Sequence, residues 1–183
     1  NPHLKFIFLV RNPIDRAYSQ YNMLINWRKS QLLHEYELFP DKEKLNILLK
    51  KLLDTQNFPF SYWVNLEIEK IRNQENTPID FFPDFLHRGF YYEQLERYYQ
   101  FFPVENILVI EHRELKNNRI STLRKIEQFL NIPYVDWNAI NLDDKFVSQY
   151  NVKLPSDIRN KLKAFFKPYN EKFYKLIKRN FDW

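Results

Sequence analysis

Arg11 and Ser19 are the side chains of this sequence best placed to do chemistry. The arginine ends an apolar run, Phe6–Val10, and the serine follows eight positions later, about two turns into a stretch of helical pattern. A guanidinium offers a permanent charge and a fork of N–H donors, and a hydroxyl adds another donor. Brought together beside a helix N-terminus, the two suit a phosphate group. The bland alternative is a strand-end arginine paired with a carboxylate and a helical serine bonded to its own backbone. A second pair, His87 and Arg88, stands next to the single glycine, Gly89, near a predicted helix start. These two are the candidates for contact with a substrate; their alternative is a solvated helix entry. Gly89 itself reads as a site of close packing or a tight entry turn.

Other chemistries find no support. The four histidines, His3, His34, His87 and His112, are dispersed without ligand spacing, so no metal is expected. Cysteine is absent, which removes disulfides, thiolate metal sites and cysteine nucleophiles. One glycine cannot build a nucleophile elbow or a nucleoside-triphosphate phosphate loop. No catalytic base can be named from the residues present.

The elements that must carry these groups follow from periodicity. Phe6–Val10 has the length and aromatic or β-branched content of a buried strand. Asn12 then suits a helix cap, Pro13 a first helical position, and Ile14, Ala17, Tyr18, Tyr21 and Ile25 one apolar face. Arg11 is thereby delivered to the carboxyl end of a strand, where open α/β sheets place ligands. Downstream, residues 31–40 read as irregular. Asp41 caps a helix to about Leu53 with a Leu45, Leu48, Leu49 and Leu52 stripe, and a helix over 61–72 turns Tyr62, Leu66 and Ile71 inward. A loop spans 73–84, and a helix over 90–102 carries Tyr91, Leu95, Tyr98 and Phe102. A second buried strand covers 107–110, and Ser121 caps a helix to Leu130. After a long loop over 131–155, two helical pieces, 156–166 and 168–179, are separated at Pro168.

Arg11-Asn12-Pro13-x-Asp15-Arg16-Ala17-Tyr18-Ser19-x-Tyr21 resembles the 3′-phosphate-binding segment of sulfotransferases that use 3′-phosphoadenosine 5′-phosphosulfate (PAPS), in particular the heparan-sulfate-type N- and O-sulfotransferases and their bacterial relatives. Three later blocks resemble the same family in the same order. They are Arg88-Gly89-Phe90-Tyr91 through Ile110, Leu123 to Pro133, and Phe166-Lys167-Pro168-Tyr169 through Trp183. The resemblance implies an α/β fold of the P-loop-NTPase-like sulfotransferase type, a parallel sheet flanked by helices, with the first strand and its 5′-phosphosulfate loop missing. It implies that Arg11 and Ser19 bind the cofactor through its 3′-phosphate, and that a sulfuryl group passes from PAPS to a hydroxyl or amine, with a carbohydrate as a natural candidate. Family members typically take their base from the region just after the missing loop, so no residue here inherits that role. The alternative is a non-catalytic remnant that keeps only the 3′-phosphate half of the nucleotide site.

Composition sets the outer bounds. The 183 residues suit one domain, expected to span 1–183 and to be incomplete at its N-terminus. With 44% hydrophobic and 18% aromatic residues, the composition argues against disorder as the general state. A net charge of +5 favours an anionic cofactor or acidic glycan, while no nucleic-acid motif is present and no apolar run is long enough to span a membrane. The absence of cysteine fits a cytoplasmic location, which is the expectation.

Overall fold

The sequence pattern is realised as two parallel strands among helices. The computed structural model describes residues 3–26, 41–73, 83–142 and 153–183. The expected irregular stretch at 31–40, most of the loop at 73–84, and part of the loop expected over 131–155 lie outside the described residues. The chain groups into two compact units. One comprises residues 1–12, 91–149 and 168–182; the other comprises 13–90 and 150–167, with Trp183.

In the first unit, β1 (Phe6–Val10) pairs in parallel with β2 (Ile107–Glu111), from Phe6 opposite Ile107 to Val10 opposite Glu111. Phe6 and Phe8 point to one face, where the rings of Tyr98 and Phe102 meet them at centroid distances of 4.5–5.2 Å. Tyr98 belongs to α4 (Tyr91–Tyr99), which is shorter than the helix expected over 90–102. The opposite face is less covered. Lys5 reaches the Phe129 carbonyl, yet Ile7 and Leu9 are 41% and 53% exposed. The expectation of a buried first strand is therefore corrected: within Phe6–Val10 only Val10 is buried, because no described element lies over Ile7 and Leu9. β2 is better enclosed, with Ile107 and Ile110 both buried.

After β2 come α5 (His112–Asn117) and α6 (Arg119–Leu130). The expected cap at Ser121 is corrected: the helix already begins at Arg119, and the Ser121 hydroxyl donates to the Asn118 carbonyl at 2.9 Å. Asn131 ends α6 in a left-handed conformation, φ 56°, that asparagine tolerates better than most residues. Glu127 then holds the following turn, accepting from the Val135 N–H at 2.9 Å, the Trp137 indole at 2.8 Å, and Arg124. Burial works against its charge, but those three donors keep the carboxyl below its ordinary range.

The second unit holds α1 (Pro13–Asn26), α2 (Lys42–Leu53) and α3 (Phe60–Arg72). Asp41 caps α2 as expected, its carboxylate accepting from the Lys44 N–H at 2.8 Å. Leu45, Leu49 and Leu52 are buried. In α3 the inward face differs from the one expected: Trp63, Val64, Glu67 and Ile68 are buried, while Tyr62, Leu66 and Ile71 are half-buried. The largest side chain, Trp63, decides the orientation because burying it removes the most apolar area from water. Tyr21, Phe60 and Phe85 form an aromatic cluster with centroids 5.1–5.8 Å apart.

The two pieces expected on either side of Pro168 are a single helix, α7 (Ser156–Ile177), with the proline inside it. A proline costs such a helix one hydrogen bond and about 3 kcal/mol. Anchors in each unit offset this: Leu162 and Phe166 are buried in the second, Phe173 in the first.

Candidate functional site

The strand ladder ends at Val10 opposite Glu111, so Arg11 is the first residue beyond it, at the carboxyl end of β1. Its peptide groups have left the ladder and need other partners. They find one in Tyr91, the first residue of α4. The Arg11 N–H donates to the Tyr91 hydroxyl at 3.3 Å, and the hydroxyl donates to the Arg11 carbonyl at 2.9 Å. The Arg11 side chain is half-buried, and among the described residues it takes part in no ion pair. The carboxylate partner of the bland reading is thus not found there. Tyr91 is held in turn by its ring, which is buried and packs on Phe173 at 5.6 Å.

Ser19 is half-buried on α1, in the second unit, whereas Arg11 belongs to the first. The start of α1 is fixed by close packing. Pro13 is its first residue, as the sequence suggests, and Asp15 pairs with Arg159 at 3.0 Å. A Cβ added to Gly89 would stand 2.9 Å from both the Pro13 Cβ and the Phe166 ring. Close packing against α1 is therefore why glycine stands at 89; its φ is not positive.

His87 and Arg88 are brought together by Asp84. The His87 Nδ1 lies 3.8 Å from one carboxylate oxygen and the Arg88 Nε 3.3 Å from the other. Both side chains are about half exposed, on a 3₁₀ turn over His87–Gly89. Asp84 itself is left-handed, with φ 56°, a conformation that costs a non-glycine residue energy and needs its surroundings to impose it. Those surroundings are visible. Glu67, 1% exposed, accepts from the backbone N–H groups of Phe85 at 2.8 Å and Leu86 at 2.6 Å. Arg16 donates to the Phe85 carbonyl and to the Gln20 amide oxygen, and Gln20 donates to the Pro83 carbonyl at 2.9 Å. Residues 83–86 are thus tied from α1 and α3 at once. Burial pushes the Glu67 carboxyl up to about 8, outweighing the two backbone donors that favour its charge; Asp84 adds to the rise and Arg16 opposes it.

Among the described residues, no three His, Asp or Glu side chains gather as metal ligands, and no helix is long and apolar enough to cross a membrane.

Comparison with known proteins turns this geometry into a family assignment. The model of the sulfotransferase domain matches residues 1–139. The chain belongs to the sulfotransferase family. It is 25% identical to the membrane-associated sulfotransferase kil1 of Dictyostelium discoideum, over 98% of this chain and 48% of that protein. It is 23% identical to human heparan sulfate glucosamine 3-O-sulfotransferase 5, over the whole chain and 50% of that protein. A sulfotransferase from Alicyclobacillus acidocaldarius has the same fold, with a TM-score of 0.58 and 24% identity, covering 97% of this chain and 56% of that one. The chain thus spans about half the length of the curated relatives it matches. As a member of a sulfotransferase family, it shares an α/β architecture with a parallel sheet, as its motifs imply.

Three residues of this region escape a reading by sequence alone. Tyr91 reads as part of an apolar stripe and of one block of the resemblance, neither of which gives its hydroxyl a partner, although a tyrosine opening a helix carries a polar tip that could signal its role. Glu67 is an acidic residue on α3, and nothing in the sequence signals the distant backbone N–H groups it accepts from. Asp84 sits at the edge of an apparent loop, and only its spacing of three and four to His87 and Arg88 hints at their shared contact.

Proposed function

We propose that the protein carrying this chain transfers a sulfuryl group from PAPS to a hydroxyl or amine, with carbohydrates as the first acceptors to test. In this reading Arg11 and Ser19 each contact the 3′-phosphate of the donor, and His87 and Arg88 are the candidates for contact with the acceptor or the moving sulfate. The observation that carries it is Arg11: a guanidinium without an ion-pair partner among the described residues, at the carboxyl end of a parallel strand, in a chain of the sulfotransferase family. Charge-assisted N–H bonds to phosphate oxygens are the interaction such a side chain makes best.

The reaction itself is a displacement at sulfur. The acceptor oxygen or nitrogen forms a bond to sulfur, the bond from sulfur to the phosphate bridging oxygen breaks, and adenosine 3′,5′-bisphosphate departs. The acceptor proton passes to a base, and cationic donors offset charge on the moving group. The heparan sulfate sulfotransferases among the relatives support a glycan acceptor. The test is to incubate the full-length protein with PAPS and a panel of hydroxyl- and amine-bearing saccharides, and to look by mass spectrometry for an acceptor heavier by one SO₃ with equimolar bisphosphate. Bisphosphate binding without any transfer would favour the non-catalytic alternative; neither binding nor transfer would overturn the proposal.

A further inference from the structure

Arg11 stands where the strand ladder has ended, so nothing in the sheet fixes the direction in which its side chain departs. One oxygen atom does so instead. The Tyr91 hydroxyl accepts from the Arg11 N–H at 3.3 Å and donates to the Arg11 carbonyl at 2.9 Å. That N–H belongs to the peptide plane before the Arg11 Cα, and that carbonyl to the plane after it. Tying both planes to one point restrains φ and ψ of Arg11 together, and with them the bond from Cα to Cβ along which the guanidinium sets out. The hydroxyl is itself held by its ring, buried and packed on Phe173, which is 1% exposed. A hydroxyl on a packed aromatic ring is a rigid anchor, unlike a serine or a water in the same place. The longer of the two bonds is the weaker, so the donation to the carbonyl makes the greater contribution.

We infer that Tyr91 is the positioning residue for Arg11: by clamping both peptide groups of that residue it aims the guanidinium at the donor's 3′-phosphate. The inference rests on the function proposed above and adds to it a residue that never touches the nucleotide. Its effect on the nucleotide runs through Arg11. Without the hydroxyl, the backbone at 11 loses its restraint, the guanidinium samples more directions, and the phosphate contact weakens while the rest of the nucleotide site is unaffected.

Calorimetric titration of the full-length protein with adenosine 3′,5′-bisphosphate and with adenosine 5′-phosphate tests this in four forms: unaltered, Tyr91→Phe, Arg11→Ala, and both. Tyr91→Phe keeps the packed ring and removes only the hydroxyl. The expected result is an approximately tenfold loss of bisphosphate affinity in Tyr91→Phe, no change for the monophosphate, and little further loss when Arg11 is already alanine. An equal loss for both nucleotides, or the same loss in the Arg11→Ala background, would overturn the positioning role and leave the proposed function standing. An unaltered protein that does not prefer the bisphosphate would overturn both. Should Tyr91→Phe not fold, Phe173→Leu takes its place, since it loosens the seat of the ring and keeps the hydroxyl. A selective loss of bisphosphate affinity is again expected, and an equal loss for both nucleotides again overturns the positioning role.

Discussion

A buried carboxyl and a strand-end arginine illustrate two ways a single side chain serves this protein. Glu67 acts by accepting: its two oxygens take the N–H groups of Phe85 and Leu86, which lets the chain turn through the left-handed Asp84 toward His87 and Arg88. Because burial raises its carboxyl to about 8, the folded state holds a proton that the unfolded chain, with an ordinary value of 4.5, gives up. The associated stability is complete below about pH 4.5 and is lost as pH rises to about 8, with a slope of at most about 1.4 kcal/mol per pH unit. Denaturant unfolding between pH 5 and 9 should show the midpoint of the unaltered protein falling relative to Glu67→Gln as pH rises. The same substitution places an amide donor against one backbone N–H and should cost about 1–3 kcal/mol at pH 5. A difference between the two proteins that does not vary with pH would contradict the titration of Glu67. His87 and Arg88 are held by Asp84, so Asp84→Ala should loosen both. Its cost in stability is expected to exceed about 1 kcal/mol, since Asp84 is only 21% exposed and alanine tolerates the left-handed backbone there less well than aspartate. If the pair meets the acceptor, the Asp84→Ala protein should show a raised KM for acceptor with that for PAPS unchanged.

At the level of elements, Gly89 is the position with least room. A methyl there meets the Cβ of Pro13, part of a rigid ring that cannot swing away, as well as the Phe166 ring. Gly89→Ala should therefore cost about 1–3 kcal/mol, read as a lowered unfolding midpoint, by forcing the start of α1 to shift. A neutral substitution would mean that this packing is looser than the contacts indicate. The elements themselves are largely legible in the sequence. Pro13 after Asn12, Asp41 before a leucine stripe, and Phe6–Val10 ending at a charge are local signals, and local chemistry decides them. Pro168 misleads because its cost is local whereas its compensation, the burial of Leu162, Phe166 and Phe173, is tertiary. The face of α3 misleads for a related reason: tyrosine, leucine and isoleucine at one spacing compete with tryptophan and valine at another, and only packing chooses. Arg11 and Ser19 are legible as residue types at a spacing. The hydroxyl of Tyr91 and the carboxylate of Glu67 are not, because both act on backbone groups far away in the chain.

For the whole molecule, the division into two units leaves the candidate residues distributed: Arg11 and Tyr91 in the first, Ser19, His87 and Arg88 in the second. The first unit also has an apolar strip at Ile7 and Leu9 that no described element covers. In this chain of 183 residues, Leu9→Ala should change unfolding stability by no more than about 0.5 kcal/mol, against about 2–5 kcal/mol for Leu95→Ala in the core of the same unit. Equal costs would show that Leu9 is covered after all. Everything functional, however, depends on what Arg11 binds. Calorimetry of the full-length protein with adenosine 3′,5′-bisphosphate, comparing the unaltered form with Arg11→Ala, asks this directly. A charge-assisted contact contributes about 1.5–3 kcal/mol, so the alanine form should bind more than about tenfold more weakly. An affinity that does not change would show that this arginine holds no phosphate, and the account of the site would be wrong.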